Sequence, residues 1–238
     1  MSEHITIADM PLTLIDPQER ERCIESALHS GKPFHIVTVN PEFLVEARSN
    51  REFADILRRA DLATVDGAGI IFVAKLLGYH ARLSQRFPGV ALTESILEHA
   101  ESHGESVGVI MRHDSITTDD VLRQTFRLRY PRLSFTIFRE PISPSQLYAT
   151  KPDILLVALG SPVQELWIQH HRKHLPSLKL AVGVGGTFEF ISGTIKRAPV
   201  LLRAIGLEWV WRLMLEPKRI RRIVRAVVIF PIMVFTKR

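Results

Sequence analysis

Asp66-Gly67 closes an apolar run, Leu62–Val65, and opens a helix-like segment. A carboxylate held at such a junction can act as a general base, taking the proton from a hydroxyl as it attacks. The same position also suits a helix cap, since Asp accepts hydrogen bonds from first-turn amides. Two further junctions of this kind carry polar groups. In Thr38-Val-Asn40-Pro41, Asn40 either caps the helix that Pro41 opens or hydrogen-bonds a sugar or phosphate. Gly183-Val-Gly185-Gly186-Thr187 is like a turn in which bare backbone amides approach an anion, with a tight turn between strand and helix as the plainer reading. It has neither the Gly-x-x-x-x-Gly-Lys-Ser/Thr nor the Gly-x-Gly-x-x-Gly spacing. Gly160-Ser-Pro-Val-Gln164-Glu165 brings Gln164 into a first helical turn, either beside a site or on a polar surface helix.

No metal site is expected. The ten histidines form no His-Glu-x-x-His arrangement, and the adjacent His170 and His171 point in different directions on a helix. The single cysteine, Cys23, excludes an internal disulfide and a cysteine-rich metal site.

Something must hold these junctions in place. Short β-branched runs at His35–Val39, Leu62–Val65, Val107–Met111, Leu133–Phe138, Ile154–Leu159 and Leu178–Val184 read as strands. Between them, Pro41–Ala60, Gly69–Leu77, Leu92–His103, Ser115–Tyr130 and Pro162–His174 read as helices. The alternation predicts an α/β fold, a Rossmann-like mostly parallel sheet with helices on both faces. Ligands of such sheets bind at the carboxyl ends of strands, where the polar turns lie.

Beyond Ala198 the pattern changes. Residues 199–215 and 217–235 read as helices, with Pro199 and Pro217 at first-turn positions. Residues 1–195 form the expected core and 196–238 a basic amphipathic helical appendage. The appendage holds eleven Lys and Arg against Glu208 and Glu216, in a chain whose net charge is +6, so the core is mildly acidic. Within it, Ile220, Ile223, Val224, Val227 and Val228 fall on one helical face, with Arg221, Arg222 and Arg225 toward the other. An apolar run covers residues 226–235. Basic charge beside apolar residues suits an anionic membrane surface, contacted through residues 217–238. Nucleic acid would account for the charge but not for the apolar run, so no nucleic-acid partner is expected. The run is far shorter than the about 20 residues of a spanning helix, and the N-terminus shows no secretory signal pattern. Trp209 and Trp211 either pack the appendage on the core or anchor it at a membrane interface. Self-association through the same apolar face would compete with docking.

In their order along the chain, these pieces closely resemble the WecG/TagA/CpsF family, glycosyltransferase family 26. The resemblance rests on Thr38–Pro41, Ala60–Gly67, Ala74–Gly78, Pro152–Glu165, Gly183–Phe190, Lys196–Pro199, Gly206–Trp209 and Glu216–Arg219. It implies a metal-independent inverting glycosyltransferase without a cofactor. Such an enzyme moves a sugar, N-acetylmannosamine or its uronic acid, from a UDP donor to a polyprenyl-diphosphate-linked sugar. The products feed cell-envelope or exopolysaccharide assembly, on the inner face of the bacterial cytoplasmic membrane. Asp66 matches the family's proposed catalytic base, and Thr38, Asn40 and Gln164 match polar residues lining its site. Arg212, Arg219 and Arg222 match basic residues thought to face the lipid diphosphate. By position, Gly67, Arg86, Gly185 and Gly186 join the candidate binding residues.

Two segments depart from the family pattern and bear on donor choice. Arg86-Phe-Pro-Gly89-Val-Ala91 stands where an Arg-x-x-Gly-Ser-Asp-like stretch is usual, and Met111-Arg-His-Asp-Ser115 where a Gly-Gly-x-Pro-Gly-like turn is common. UDP-glucose therefore remains the alternative donor. A nucleotide-binding oxidoreductase would share the sheet but would want Gly-x-Gly-x-x-Gly after the first strand, where Thr38-Val-Asn-Pro stands.

Overall fold

The computed structural model describes residues 3–236. Lys237 and Arg238 of the basic tail, and Met1 and Ser2 of the N-terminal segment, lie outside the described residues. The chain runs through β1 (Glu3–Ile7), β2 (Met10–Leu14), α1 (Arg20–Leu28), β3 (Phe34–Val39), α2 (Pro41–Ser49), α3 (Arg51–Arg59), β4 (Leu62–Val65) and α4 (Ala68–Leu76). It continues through α5 (Gly89–His103), β5 (Ser106–Met111), α6 (Asp119–Arg129), β6 (Ser134–Arg139), α7 (Pro144–Thr150), β7 (Ile154–Ala158), α8 (Val163–His171), β8 (Leu180–Gly183) and α9 (Thr187–Ile191). The C-terminal part holds α10 (Val200–Ala204), α11 (Glu208–Leu215), α12 (Ile220–Val224), a π-helical turn (Arg225–Ile229) and α13 (Phe230–Thr236).

The strands form one eight-stranded sheet in the order β1-β2-β4-β3-β8-β7-β5-β6. Among the described residues β1 runs antiparallel to β2, whereas β2–β4, β3–β8, β8–β7, β7–β5 and β5–β6 run parallel. The α/β class and the mostly parallel sheet agree with the sequence, and all six expected strands are present. The β1–β2 hairpin was not expected. Its turn residues, Ala8 and Asp9, both have positive φ (51° and 62°), where Asn-Gly or Asp-Gly would be the usual signal.

Two compact units divide the chain. The first comprises the described residues of Met1–Glu19, Thr38–Pro88 and Arg197–Arg238. Its core is built from Ile5, Ile7, Leu12 and Leu14 of the hairpin with Phe43, Phe53, Ile56 and Leu57 of α2 and α3. The Phe43 and Phe53 rings meet at 5.5 Å between centroids. The expected single helix over 41–60 is two, because Asn50 both ends α2 and caps α3, its side chain accepting from the Phe53 amide.

The second unit comprises Arg20–Val37 and Gly89–Lys196. Leu155 and Val157 of β7, Ala181 of β8, Ile110 of β5 and Ile168 of α8 are all buried in one of its clusters. Strands buried on both faces need uninterrupted apolar sequence, which is what these segments have.

Candidate active site

In the first unit, the turns after β3 and β4 abut. The Asp66 amide donates to the Val39 carbonyl at 2.8 Å. Asn40 is the N-cap of α2: its Oδ1 accepts from the amides of Glu42 (2.9 Å) and Phe43 (3.2 Å), with Pro41 in the first helical position. The capping reading of Asn40 is thus realised, and its Nδ2 end remains as a donor. The N-cap position of α4 falls one residue after Asp66, on Gly67, which has no side chain to accept with. Asp66 is half-buried one residue earlier, and Thr38 is buried near the end of β3.

Gly67 owes its identity to space. Its φ of −80° suits any residue, but a Cβ there would lie 2.4 Å from Pro41 Cδ. The rigid proline ring cannot yield, so Gly67→Ala must push the two turns apart. We expect it to cost about 1–3 kcal/mol of stability, as overpacking does, and to slow turnover by displacing the adjacent Asp66. Urea unfolding and initial rates on the same preparation check both effects.

Arg86 comes to the same strand end. The next residue, Phe87, donates its amide to the Val65 carbonyl at 2.7 Å. The Arg86 guanidinium donates to the carbonyls of Leu83 (3.3 Å) and Arg203 (2.9 Å), tying this segment to α10. Gly206, with φ +80°, ends α10's turn so close to Ala68 that an added Cβ would sit 2.6 Å from the Ala68 Cβ. The expected helix over 199–215 is accordingly broken there into α10 and α11.

The three matched arginines of the C-terminal part are paired with carboxylates. Arg212 and Arg219 share Glu216, at 2.9 and 2.6 Å. Burial works to raise the Glu216 pKa, but hydrogen bonds from Arg219 and Arg212 outweigh it and hold the carboxyl below its usual range. The Arg219 guanidinium is pushed down by burial and by the neighbouring charge of Arg212, with Glu216 opposing. This is an environment that a second anion would relieve. Arg222 donates to Glu42 in the first turn of α2 at 2.6 Å, and Arg225 lies 3.6 Å from Glu46 one turn on. Arg222 is therefore brought to the helix that Asn40 caps.

The consequence for the appendage is unusual. Arg222 and Arg225 reach back to α2, while Ile220, Val224, Val227, Val228, Ile229, Ile232 and Phe235 are exposed. Phe230 and Met233 are the buried anchors of this stretch. Trp209 is 39% exposed and Trp211 half-buried. Among the described residues no helix is long and apolar enough to cross a membrane.

In the second unit, Gln164 and the glycine turn come together. Gln164, 2% exposed, accepts at Oε1 from the amides of Gly160 (3.1 Å) and Gly185 (3.0 Å), so one side chain ties the turns after β7 and β8. Gly185 has φ +52°, a conformation that disfavours any side chain, and Gly186 is exposed at the cap of α9. The neighbouring Glu165 is fully buried and accepts from Gln164 Nε2 at 2.8 Å. Sequence reasoning passed over Glu165, since an acid in a first helical turn usually faces solvent. It also passed over Glu189, which accepts from Ser115 Oγ at 3.3 Å. Arg139 further fixes the segment after β5, donating to the Arg112 carbonyl at 2.9 Å. The segment that departs from the family pattern is thereby held in a defined turn.

Comparison with known proteins agrees with the motifs. The pattern described as the glycosyl transferase WecG/TagA/CpsF family matches residues 5–238. A protein of Bacillus spizizenii named N-acetylglucosaminyldiphosphoundecaprenol N-acetyl-beta-D-mannosaminyltransferase is 33% identical over 201 residues, covering 82% of this chain and 76% of that one. A Staphylococcus aureus protein of the same name is 29% identical over 203 residues, covering 83% and 78%.

Proposed function

The chain belongs to the WecG/TagA/CpsF glycosyl transferase family, and from that premise we propose that it moves N-acetylmannosamine from UDP to an N-acetylglucosaminyl-diphospho-undecaprenol acceptor. The names of the two relatives support this donor sugar and acceptor. The placement of Asp66 carries the mechanism: a half-buried carboxylate at the end of β4, fixed through its amide to Val39 and through Gly67 against Pro41.

In this mechanism the acceptor hydroxyl oxygen attacks the anomeric carbon while Asp66 takes its proton. The carbon–oxygen bond to UDP breaks, and UDP leaves with the electron pair. One displacement inverts the anomeric centre. The negative charge developing on the leaving diphosphate needs preorganised donors. Backbone amides of the Gly183–Thr187 turn and the arginines Arg212, Arg219 and Arg222 are assigned that role, as charge-assisted hydrogen bonds to phosphate are the strong ones. Thr38, Asn40, Arg86 and Gln164 orient the sugars and the turns.

Residues 196–238 act as the membrane-facing appendage. A lipid-linked acceptor requires the enzyme to work at a bilayer, and the exposed apolar side chains of α12–α13 beside basic residues suit an anionic one. On this reading the enzyme is a peripheral protein on the inner face of the cytoplasmic membrane, with self-association as the competing use of the same face.

The donor is tested with a panel of UDP-N-acetylmannosamine, its uronic acid and UDP-glucose, against the lipid acceptor in anionic vesicles. We expect transfer from UDP-N-acetylmannosamine, at a rate unchanged by EDTA. Preference for UDP-glucose would overturn the donor assignment and point to Ala91 and the Arg112–Ser115 turn as its cause.

A further inference from the structure

Glu165 is the most buried acid of the second unit, and no described charged group faces it. Its carboxyl is met only by the Gln164 amide and its own backbone. Oε1 accepts from Gln164 Nε2 at 2.8 Å, and Oε2 is buried with no hydrogen-bond partner. A Cβ on Gly183 would lie 2.3 Å from Glu165 Oε1 and 2.4 Å from Gln164 Nε2, so the end of β8 is pared to glycine to admit the pair. A buried acid kept at such cost in a layer that leucine could fill calls for a reason.

The geometry of Gln164 gives one. Its amide oxygen holds two backbone amides, Gly160 and Gly185. That works only if the side-chain amide is turned with its nitrogen toward Glu165. Flipped by half a turn, it would present N–H groups to N–H groups and release both turns. Glu165 supplies the acceptor that Nε2 meets in this orientation and so favours it over the flip. We propose that Glu165 is a positioning residue for donor binding, which locks the Gln164 amide and thereby holds the turns after β7 and β8 in the shape that receives the UDP moiety.

The proposal rests on the transferase reading above, and it has a pH signature. Burial pushes the Glu165 carboxyl from its ordinary 4.5 up to about 8, opposed by the hydrogen bond from Gln164. The folded chain therefore keeps a proton that the unfolded chain has lost. Stability is greatest at or below the unfolded value and declines as pH rises toward about 8. Above that, ionisation strengthens the bond from Gln164 but puts an uncompensated negative charge in the apolar layer, which draws in water and repels an incoming diphosphate, and UDP affinity falls.

The test is calorimetric binding of UDP to the full chain from pH 6 to 9, with thermal unfolding in parallel, for the wild type, Glu165→Gln and Glu165→Leu. Glu165→Leu removes the acceptor and should weaken UDP binding about 5-fold, the scale of one lost hydrogen bond between neutral groups. Glu165→Gln keeps an acceptor but cannot ionise; it should restore the affinity that Glu165→Leu loses and flatten the alkaline limb of both binding and Tm. Equal UDP affinity in Glu165→Leu and wild type, or an alkaline limb that persists in Glu165→Gln, overturns the proposal. If the wild type binds no UDP at any pH, the donor reading itself fails and the positioning role falls with it, whereas the Tm profile still reports Glu165 ionisation.

Discussion

Asp66→Asn should abolish transfer to the lipid acceptor while leaving the fold intact. Asn matches Asp in size, so the Asp66 amide keeps its bond to Val39 and Gly67 keeps its fit against Pro41. What is lost is the group that accepts the proton. Loss of a positioned general base slows turnover by about 10²- to 10⁴-fold. The effect should fall on kcat, with UDP affinity little changed, because the base acts in the transition state and not on the bound nucleotide. Near-normal rates in Asp66→Asn, with unchanged circular dichroism and Tm, would remove Asp66 from the mechanism.

The second large effect concerns the bilayer. A truncation at Glu216 would be a poor experiment, since it removes the buried Phe230 and Met233 and bares the face of α2 that Arg222 and Arg225 clasp. Substituting exposed positions avoids this. Val224, Val228 and Ile232 are 41%, 48% and 56% exposed. Changing all three to Glu should reduce affinity for anionic vesicles at least about 100-fold, given roughly 1.5 kcal/mol for each apolar side chain withdrawn from water and the added repulsion. Turnover should collapse with vesicle-embedded acceptor but persist with a short-chain acceptor free in solution. Vesicle co-sedimentation at two salt concentrations reads the binding directly. Unchanged co-sedimentation of the triple variant would show that α12–α13 is not the docking surface.

The sequence reading succeeded where period and punctuation were strong. The six strands from β3 to β8 are short β-branched runs between helices, and each is present. It missed β1 and β2, whose turn places Ala8 and Asp9 at positive φ without a glycine to signal it. It missed α1 and α7 as well. In α1 only Ile24, Ala27 and Leu28 are buried, too sparse a stripe to stand out. The long helices expected over 41–60 and 199–215 each break at one residue, Asn50 and Gly206, whose capping and left-handed conformations are local signals weaker than the surrounding periodicity. In the last stretch, Pro231 lacks the amide an α-helix would use, and a π-helical turn over Arg225–Ile229 precedes it.

The candidate site was legible in part for the same reason. Strand-end turns announce themselves by Asp, Asn and Gly after apolar runs, so Thr38, Asn40, Asp66, Gly67, Gly185 and Gly186 could be singled out. The partners of the arginines could not. That Arg222 reaches Glu42, about 180 residues away in sequence, follows from tertiary packing alone. Nor could the burial of Glu165, which reads as an ordinary acid at a helix start and is instead sealed against Gly183.

The most direct measurement is the identity and anomeric configuration of the lipid product made by the full chain from UDP-N-acetylmannosamine and N-acetylglucosaminyl-diphospho-undecaprenol. Mass spectrometry and NMR should show a single N-acetylhexosamine added, with the configuration inverted relative to the donor and one UDP released per sugar transferred. A retained configuration would contradict the single displacement driven by Asp66, and UDP release without a lengthened lipid would contradict the transferase account itself.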